Sequence, residues 1–337
     1  LVFIQQRGVR FPLGPPKIFM YKIGIIEKFH EEGFKLLKNN SNFEYEIIED
    51  ISEKNLISTL PNFDGLTVRL TELNEKVLSS CTKLKVISRH GVGYNSIDTS
   101  YLKKNNITLC ITSTANATAV AEHVMYMMLT ISKGLNVYDK EVRNGNFKKN
   151  LNLIKTFELY EKEILIAGFG RIGKNLVKRC KGFDMKINVF DPFVDEEEIK
   201  KYGASKVKNL NGSLFSADYV SLHMPLTAET KNMINYDLLK KMKKTAIIIN
   251  TARGGIINEN DIDKALKEGL IFGAGIDVFE KEPLNENNPL IKNNRVLLSP
   301  HAATFTEECK KRMSIETIKN VIDFFEKKLD KSMTVNL

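Results

Sequence analysis

The feature that most constrains this chain is a glycine-rich turn placed between an apolar strand and a helix. Residues 164–167 form a short, largely β-branched run, which predicts a buried strand. Three glycines with the spacing Gly-x-Gly-x-x-Gly follow at once, and apolar residues at helical spacing continue to residue 180. A second predicted strand, residues 186–190, leads into Asp191. This order of strand, turn, helix, strand and acid is much more restrictive than the glycine spacing alone.

Each glycine has its own physical task in such a turn. Gly168 permits the tight turn, Gly170 lets the backbone approach a pyrophosphate, and Gly173 lets the helix pack on the strand. The helix N-terminus then offers unpaired N–H groups and partial positive charge to phosphates. Asp191 would accept hydrogen bonds from adenosine ribose hydroxyls and repel a 2′-phosphate. The sequence therefore predicts NAD rather than NADP; the alternative is an ordinary strand–helix–strand unit without a ligand.

Composition excludes several classes of function. An apolar fraction of 42% and a charged fraction of 27% are typical of a globular protein, and no apolar run approaches the ~18 residues of a membrane helix. The net charge of +9 has no arginine-rich stripe behind it, so nucleic-acid binding is not indicated. The four cysteines lack metal-ligand spacing. We expect no metal, no membrane contact and a cytoplasmic location with reduced thiols.

Strands and helices alternate along nearly the whole chain, which predicts the α/β class with two doubly wound parallel sheets. Residues 20–113 and 305–337 would form a flavodoxin-like substrate domain. Residues 114–304 would form a Rossmann cofactor domain, with the cleft between the two. Residues 1–19 are interpreted as a non-native or disordered extension.

One helix candidate is apolar on several sides. It spans residues 117–134 and continues less regularly to about residue 144. A helix of this kind is buried between domains or between subunits. We therefore expect a homodimer formed through residues 117–159.

Polar residues stand at four predicted strand ends after the glycine turn, where parallel sheets bind ligands. They lie in residues 221–225, 250–255, 277–283 and 299–304. With residues 89–98 and 120–123, these motifs make the chain similar to the D-isomer-specific 2-hydroxyacid dehydrogenases, a family that includes D-3-phosphoglycerate dehydrogenase and the glyoxylate/hydroxypyruvate reductases. The resemblance covers residues 20–328 and is densest between residues 165 and 304.

The resemblance implies a catalytic trio of Arg253, Glu282 and His301. The chemistry asks for the same residue types, because oxidation of a 2-hydroxy acid removes a hydroxyl proton while hydride leaves the same carbon. Histidine is the natural base for that proton, and a carboxylate on its second ring nitrogen fixes the tautomer. Arginine offers a planar fork for the substrate carboxylate and carbonyl oxygen. Taken singly, the three could be a surface ion-pair residue, a loop acid and a histidine in a capped turn.

The resemblance also implies binding roles. Backbone groups of Val92 and Gly93 would meet the substrate carboxylate, as in similar enzymes. Independently of the resemblance, Arg69 lies at the end of a predicted strand, where it and nearby basic residues could meet a phosphate. The cofactor would be lined by residues around the turn and the later strand ends, with Asp277 accepting from the carboxamide and His223 either lining the site or packing: Arg171, Ile172, His223, Thr251, Ala252, Asp277 and Ala303.

Three functions remain open at this point. Oxidation of 3-phosphoglycerate for serine biosynthesis and reduction of glyoxylate or hydroxypyruvate are both compatible with the site. An NAD-sensing corepressor on the same fold belongs to a different class, and it would be expected to recruit peptide partners.

Overall fold

The structure is a computed structural model that describes residues 3–6, 9–12, 20–147 and 154–337. It divides into two compact units: the first comprises Leu1–Ala115 with Lys310–Leu337, and the second comprises Asn116–Cys309. The extension expected at residues 1–19 falls largely outside the described residues, which in that stretch comprise a pair of four-residue antiparallel strands.

The first unit is built on a parallel sheet of five strands. The separate terminal pair consists of β1 Phe3–Gln6 and β2 Val9–Pro12. The strands of the five-stranded sheet are β3 Tyr21–Ile26, β4 Phe43–Ile48, β5 Gly65–Val68, β6 Val86–Arg89 and β7 Thr108–Ile111. The order across the large sheet is β4-β3-β5-β6-β7, and every pairing is parallel. This is the flavodoxin-like order, in which the direction of winding reverses between β3 and β5.

Four helices connect these strands, and most are short. They are α1 Phe34–Lys38, α2 Glu53–Thr59, α3 Glu75–Leu78 and α4 Thr99–Lys104. Two of them begin at a side-chain cap: Asn74 accepts from the N–H of Val77, and Asp98 accepts from the N–H of Tyr101. These caps satisfy donors that the first turn of a helix otherwise leaves unpaired.

The second unit is built on a parallel sheet of seven strands. They are β8 Glu163–Ala167, β9 Lys186–Phe190, β10 Ser205–Lys206, β11 Tyr219–Leu222, β12 Ile247–Asn250, β13 Gly273–Ile276 and β14 Val296–Leu298. Their order is β10-β9-β8-β11-β12-β13-β14, with the reversal of winding between β8 and β11. The sequence predicts six of these strands; β10 is too short, at two residues, to give a periodic signal.

The helices of the second unit lie between these strands. They are α5 Ala117–Lys133, α6 Leu135–Arg143, α7 Arg171–Lys181, α8 Glu196–Lys201, α9 Leu210–Ser216, α10 Tyr236–Leu239 and α11 Glu259–Lys267. A last helix, α12 Glu307–Phe325, begins within the second unit and continues through the first. The two parallel sheets with their helices confirm the predicted fold class.

The central strands are apolar along their whole length because helices cover both faces of each sheet. In β8, Leu165 packs in one hydrophobic cluster, whereas Ile164 and Ile166 pack in the cluster on the opposite face. The same alternation occurs in β12, where Ile248 joins the first cluster and Ile249 the second. A period of two therefore remains visible in the packing even though the sequence reads as a continuous apolar run.

Helix α5 is buried inside its own unit. Ten of its 17 residues are buried, and its Met127 and Ile131 pack so closely on β13 that added Cβ atoms at Gly275 and Gly273 would collide with them. The helix ends at Gly134, whose φ of +61° is favourable only without a side chain. α6, which follows, has no buried residue.

All four cysteines are buried, and none forms a disulfide. Burial raises the pKa of Cys81 to about 11 and the pKa values of Cys110 and Cys180 to about 12. No helix among the described residues is long and apolar enough to cross a membrane.

Candidate active site

The glycine-rich turn between β8 and α7 has three distinct steric requirements. Gly168 has a φ of +105°, and a Cβ there would lie 2.5 Å from the carbonyl oxygen of His223. A Cβ on Gly173 would lie 2.4 Å from the carbonyl oxygen of Gly168. A Cβ on Gly170 would meet nothing within 4 Å, so the turn is open at this position. Gly170 is also the N-cap of α7, and as a glycine it has no side chain to cap the N–H groups of the first turn.

This arrangement fits a pyrophosphate. The open space lies at the N-terminus of an eleven-residue helix, where free N–H groups and the helix dipole attract anions. Arg171 and Ile172 are the first two residues of α7 and supply part of this backbone. The turn also lies beside the reversal of winding, since the N–H of His223 donates to the carbonyl of Ala167 at 2.7 Å. Ligands of doubly wound sheets bind at such reversals.

Asp191 is held against the turn by two backbone groups. Its Oδ2 accepts from the N–H of Phe169 at 2.7 Å, and its Oδ1 accepts from the N–H of Phe193 at 2.8 Å. A carboxylate can accept further bonds, so this fixed position leaves acceptor capacity for ribose hydroxyls.

Two buried polar atoms near the ends of β11 and β12 have no hydrogen-bond partner among the described residues. They are Nδ1 of His223 and Oγ1 of Thr251, which is followed by the buried Ala252. Buried polar atoms are nearly always paired, so unpaired atoms at strand ends indicate a ligand site. The other ring nitrogen of His223 lies 2.8 Å from Oγ of Ser221, and burial lowers the pKa of His223 to about 4. The ring is therefore neutral at physiological pH.

Asp277 follows β13 and is 1% exposed. Its Oδ1 accepts from Oγ of Ser299 at 2.5 Å and from the N–H of Ala302 at 2.8 Å. Among the described residues, its Oδ2 accepts only from the N–H of Ala303, at 3.2 Å. The expected bond to a carboxamide stays a prediction, for which Oδ2 has the free capacity.

The structure brings the predicted base and its carboxylate together. Nδ1 of His301 lies 2.8 Å from Oε2 of Glu282, whose Oε1 accepts from the N–H of Phe279 at 3.0 Å. Because a carboxylate only accepts, Nδ1 carries the proton and Nε2 of the neutral ring is an acceptor. His301 has a φ of +52°, a conformation that costs on the order of 1 kcal/mol for a residue other than glycine.

Arg253 follows β12 and is partly buried. One of its N–H groups donates to the carbonyl of Ala252 at 2.6 Å, and its side chain makes no other hydrogen bond within the described residues. Burial lowers the pKa of Arg253, and the nearby charge of Glu282 opposes this effect. A desolvated guanidinium with most of its donors unused is suited to bind an anion.

The predicted substrate residues Arg69, Val92 and Gly93 lie in the first unit, after β5 and β6. Neither Val92 nor Gly93 donates a backbone hydrogen bond among the described residues, so both N–H groups remain available. The turn after Arg69 is fixed by Glu27, whose Oε2 accepts from the N–H groups of Leu70 at 2.7 Å and Thr71 at 2.9 Å. Glu27 was not predicted from the sequence.

His90 precedes this backbone and is buried in the first unit. Its ring stacks on Phe29 at 4.6 Å, and Nδ1 lies 2.9 Å from Oγ1 of Thr317. Burial lowers its pKa to about 3, with added repulsion from the charges of Arg89 and Arg69. The His90 ring is therefore packed as a structural residue. The effect of both arginines on its pKa shows that Arg69 and Arg89 lie near the ring.

This buried ring predicts sensitivity to acid. In the unfolded chain His90 titrates near pH 6.5, so between that pH and about 3 only the unfolded state takes up the proton. Stability should fall as the pH is lowered through this range, with a loss on the order of 3 kcal/mol at pH 4 from this group. Urea unfolding of the wild type and of His90→Gln between pH 7 and pH 4 measures it.

Other acid-sensitive groups, including His223, contribute equally to the two proteins. We expect His90→Gln to be less stable at pH 7 and to lose less stability on acidification. Two parallel curves of stability against pH would contradict this assignment.

Comparison with known proteins identifies the family. Residues 125–303 match the family described as D-isomer specific 2-hydroxyacid dehydrogenase, NAD binding domain. A glyoxylate reductase of Korarchaeum cryptofilum is 34% identical over 315 residues, which cover 92% of each chain. The chain belongs to the D-isomer-specific 2-hydroxyacid dehydrogenase family. It is accordingly an NAD-dependent oxidoreductase by class, and NAD is its cofactor.

Two further proteins that resemble this chain carry different names. A D-3-phosphoglycerate dehydrogenase of Methanocaldococcus jannaschii is 35% identical over 307 residues; the chain spans 58% of that protein's length. The crystal structure of a D-lactate dehydrogenase from Aquifex aeolicus, complexed with NAD and lactic acid, matches with a TM-score of 0.80 and 27% identity. That match covers 93% of this chain and 98% of the other. The named substrates differ among these relatives.

Proposed function

We propose that the chain oxidises 3-phosphoglycerate at C2, with NAD as the acceptor. The observation that supports this substrate is a pair of arginines at neighbouring strand ends in the first unit. Val68 at the end of β5 is in register with Arg89 at the end of β6, and Arg69 follows Val68 directly. Both charges act on the same ring, that of His90. A substrate with a phosphate as well as a carboxylate has use for such a pair.

Glyoxylate and hydroxypyruvate are the second candidates, because the glyoxylate reductase relatives match along 92% of their own length. Each of these acids bears one carboxylate and no phosphate. Backbone N–H groups of Val92 and Gly93 suffice for one carboxylate, so these acids offer no second anion to the positive charge of Arg69. The arginine pair is therefore the observation that favours the phosphorylated acid.

The geometry in the second unit supports the catalytic roles that we propose. His301 accepts the C2 hydroxyl proton at Nε2, because Nδ1 is already committed as a donor to Glu282. The carboxylate of Glu282 then stabilises the imidazolium that results. Bound NAD supplies the acceptor for the hydride that leaves C2. In the reverse direction His301 returns the proton to the oxygen of the 2-oxo acid.

Arg253 orients the substrate. Its unused N–H donors can bind the carboxylate and the C2 oxygen together, which fixes the carbon whose C–H bond breaks. The unit that comprises β8 to β14 would thus bind the cofactor, and the unit with β3 to β7 would bind the acid. Oxidation of 3-phosphoglycerate would feed serine biosynthesis, and we propose that it takes place in the cytoplasm.

Turnover of a panel of acids tests this function. NADH absorbance is followed with 3-phosphoglycerate and NAD, and separately with glyoxylate or hydroxypyruvate and NADH, for the wild type and Arg69→Ala. Loss of one charged hydrogen bond should raise KM for 3-phosphoglycerate about 10- to 100-fold and leave KM for glyoxylate unchanged. Lys83→Ala is the matched control, since Lys83 is an exposed cation ahead of β6, at the opposite strand ends.

Two outcomes would contradict the proposal. A higher kcat/KM for glyoxylate, indifferent to Arg69→Ala, would identify a glyoxylate reductase. Binding of NADH without turnover of any acid would instead favour the corepressor class.

We also propose a homodimer formed through residues 117–159, of which 148–153 lie outside the described residues. The basis is the apolar surface of α6 and the segment after it: Leu135 is 62% exposed, Val142 51% and Phe147 78%. Light scattering of the purified protein measures the mass, and the mass of a single chain would contradict a dimer.

A further inference from the structure

A histidine outside the proposed catalytic trio is linked to it by a short chain of hydrogen bonds. His123 lies on α5, and its Nε2 is 3.0 Å from Oγ of Ser299. Oγ of Ser299 in turn lies 2.5 Å from Oδ1 of Asp277. The direct distance from Nε2 of His123 to Oδ1 of Asp277 is 3.6 Å, which is too long for a hydrogen bond. Ser299 is therefore the link between the histidine and the carboxylate.

The direction of this chain is fixed by the groups in it. The carboxylate of Asp277 only accepts, so the single hydroxyl proton of Ser299 is donated to Asp277. The oxygen of Ser299 must then accept from His123, which places a proton on Nε2 of the ring. Burial lowers the pKa of His123 more than the charge of Asp277 raises it, so the donor is a neutral imidazole.

Asp277, whose position depends on the hydrogen bond from Ser299, is also bonded to the turn that bears His301. Its carboxylate accepts from the N–H groups of Ala302 and Ala303, and its main-chain oxygen accepts from the N–H of His301 at 2.8 Å. His301 itself has a φ of +52°. A backbone in this sparsely populated conformation persists only when surrounding bonds determine it. The bonds to Asp277 bracket the strained residue on both sides.

We infer that His123 is a positioning residue for His301, acting through Ser299 and Asp277 on the turn at residues 299–303. The inference rests on the proposed acid–base role of His301. Without the donor of His123, Oγ of Ser299 is free to rotate, which weakens one of the three hydrogen bonds that hold the carboxylate of Asp277. The imidazole of His301 then departs from the geometry at which it meets the C2 hydroxyl. His123 touches neither of the reacting groups.

The experiment compares His123→Phe, which keeps an aromatic ring and removes the donor, with His123→Gln, whose amide N–H offers a donor at similar reach. We expect His123→Phe to lower kcat about 10- to 100-fold, since a misplaced catalytic group has effects of this size. KM and the affinity for NADH, followed by fluorescence, should stay unchanged. His123→Gln should recover most of the lost kcat.

Ser299→Ala removes the same link with little change of volume, and it decides the question if His123→Phe does not fold. The double variant should be no slower than either single variant, because both changes break one chain. Glu122→Gln is the control on the same helix; this exposed residue pairs with Arg179 and is expected to leave kcat unchanged.

Wild-type kcat in both His123→Phe and Ser299→Ala would overturn the inference, as would equal loss in the Phe and Gln variants. Loss of thermal stability with unchanged kcat would likewise indicate a purely structural histidine. His301→Ala, measured in parallel, tests the acid–base role of His301 separately from the positioning role of His123. If His301→Ala retains turnover, the acid–base role itself is wrong and the inference falls with it.

Discussion

Replacement of Arg253 by alanine is expected to lower kcat/KM about 10²- to 10³-fold or more, with NADH binding retained. The guanidinium is partly buried and has one hydrogen bond in the described part of the chain, to the carbonyl of Ala252, so its remaining donors are available to the acid. Loss of a preorganised donor at the reacting oxygen has effects of this size on the chemical step. Arg253→Lys should recover only a part of the activity, since an ammonium cannot bind two oxygens as a planar fork.

Steady-state kinetics and NADH fluorescence titration measure these effects. The matched control is Arg295→Ala, because Arg295 is exposed and lies ahead of β14, away from the carboxyl ends of the strands. Near-normal kcat/KM in Arg253→Ala would refute the role of Arg253 in binding the acid. Loss of NADH affinity would instead place the residue in the cofactor site.

The second large effect is expected from His301→Ala. Removal of a general base lowers the rate typically by about 10²- to 10⁴-fold. Because the lost group is a small imidazole at an exposed position, added imidazole should restore a part of the turnover of His301→Ala. It should not restore the turnover of Arg253→Ala, which lacks a different chemical group.

His30→Ala serves as the histidine control, since His30 lies in the first unit and its ring accepts a hydrogen bond from the N–H of Glu32. A rate that is unaffected by His301→Ala, or one that imidazole rescues equally in both variants, would show that His301 does not transfer the proton.

The sequence predicts the parts of this protein that depend on local patterns. Apolar runs in β8 and β12 and the helical spacing of α7 are visible within windows of ten residues, and the parallel arrangement follows from the alternation of elements. The rule that ligands bind at carboxyl strand ends places Arg253, Glu282 and His301 at one edge of one sheet. The hydrogen bond of His301 with Glu282 agrees with that placement, and the catalytic roles themselves stay predictions.

Contacts between distant residues carry no such signal. His123 and Ser299 are 176 positions apart, and Glu27 and Leu70 are 43 apart, so no periodicity connects either pair. The left-handed backbone of His301 cannot be predicted from the sequence either, because this conformation is usually adopted by glycine or asparagine. These features are set by tertiary packing, which determines how precisely the predicted residues are held.

The rate at which the four buried cysteines are alkylated measures how often the folded protein opens. Thiolates react with alkylating reagents and thiols do not, so raised pKa values and burial together make the folded chain inert to such reagents. A cysteine is then labelled only when the protein unfolds locally or globally around it. Cys81 and Cys110 belong to the first unit and Cys180 to the second, so peptide mass spectrometry after timed alkylation can follow the opening of each unit separately in one sample.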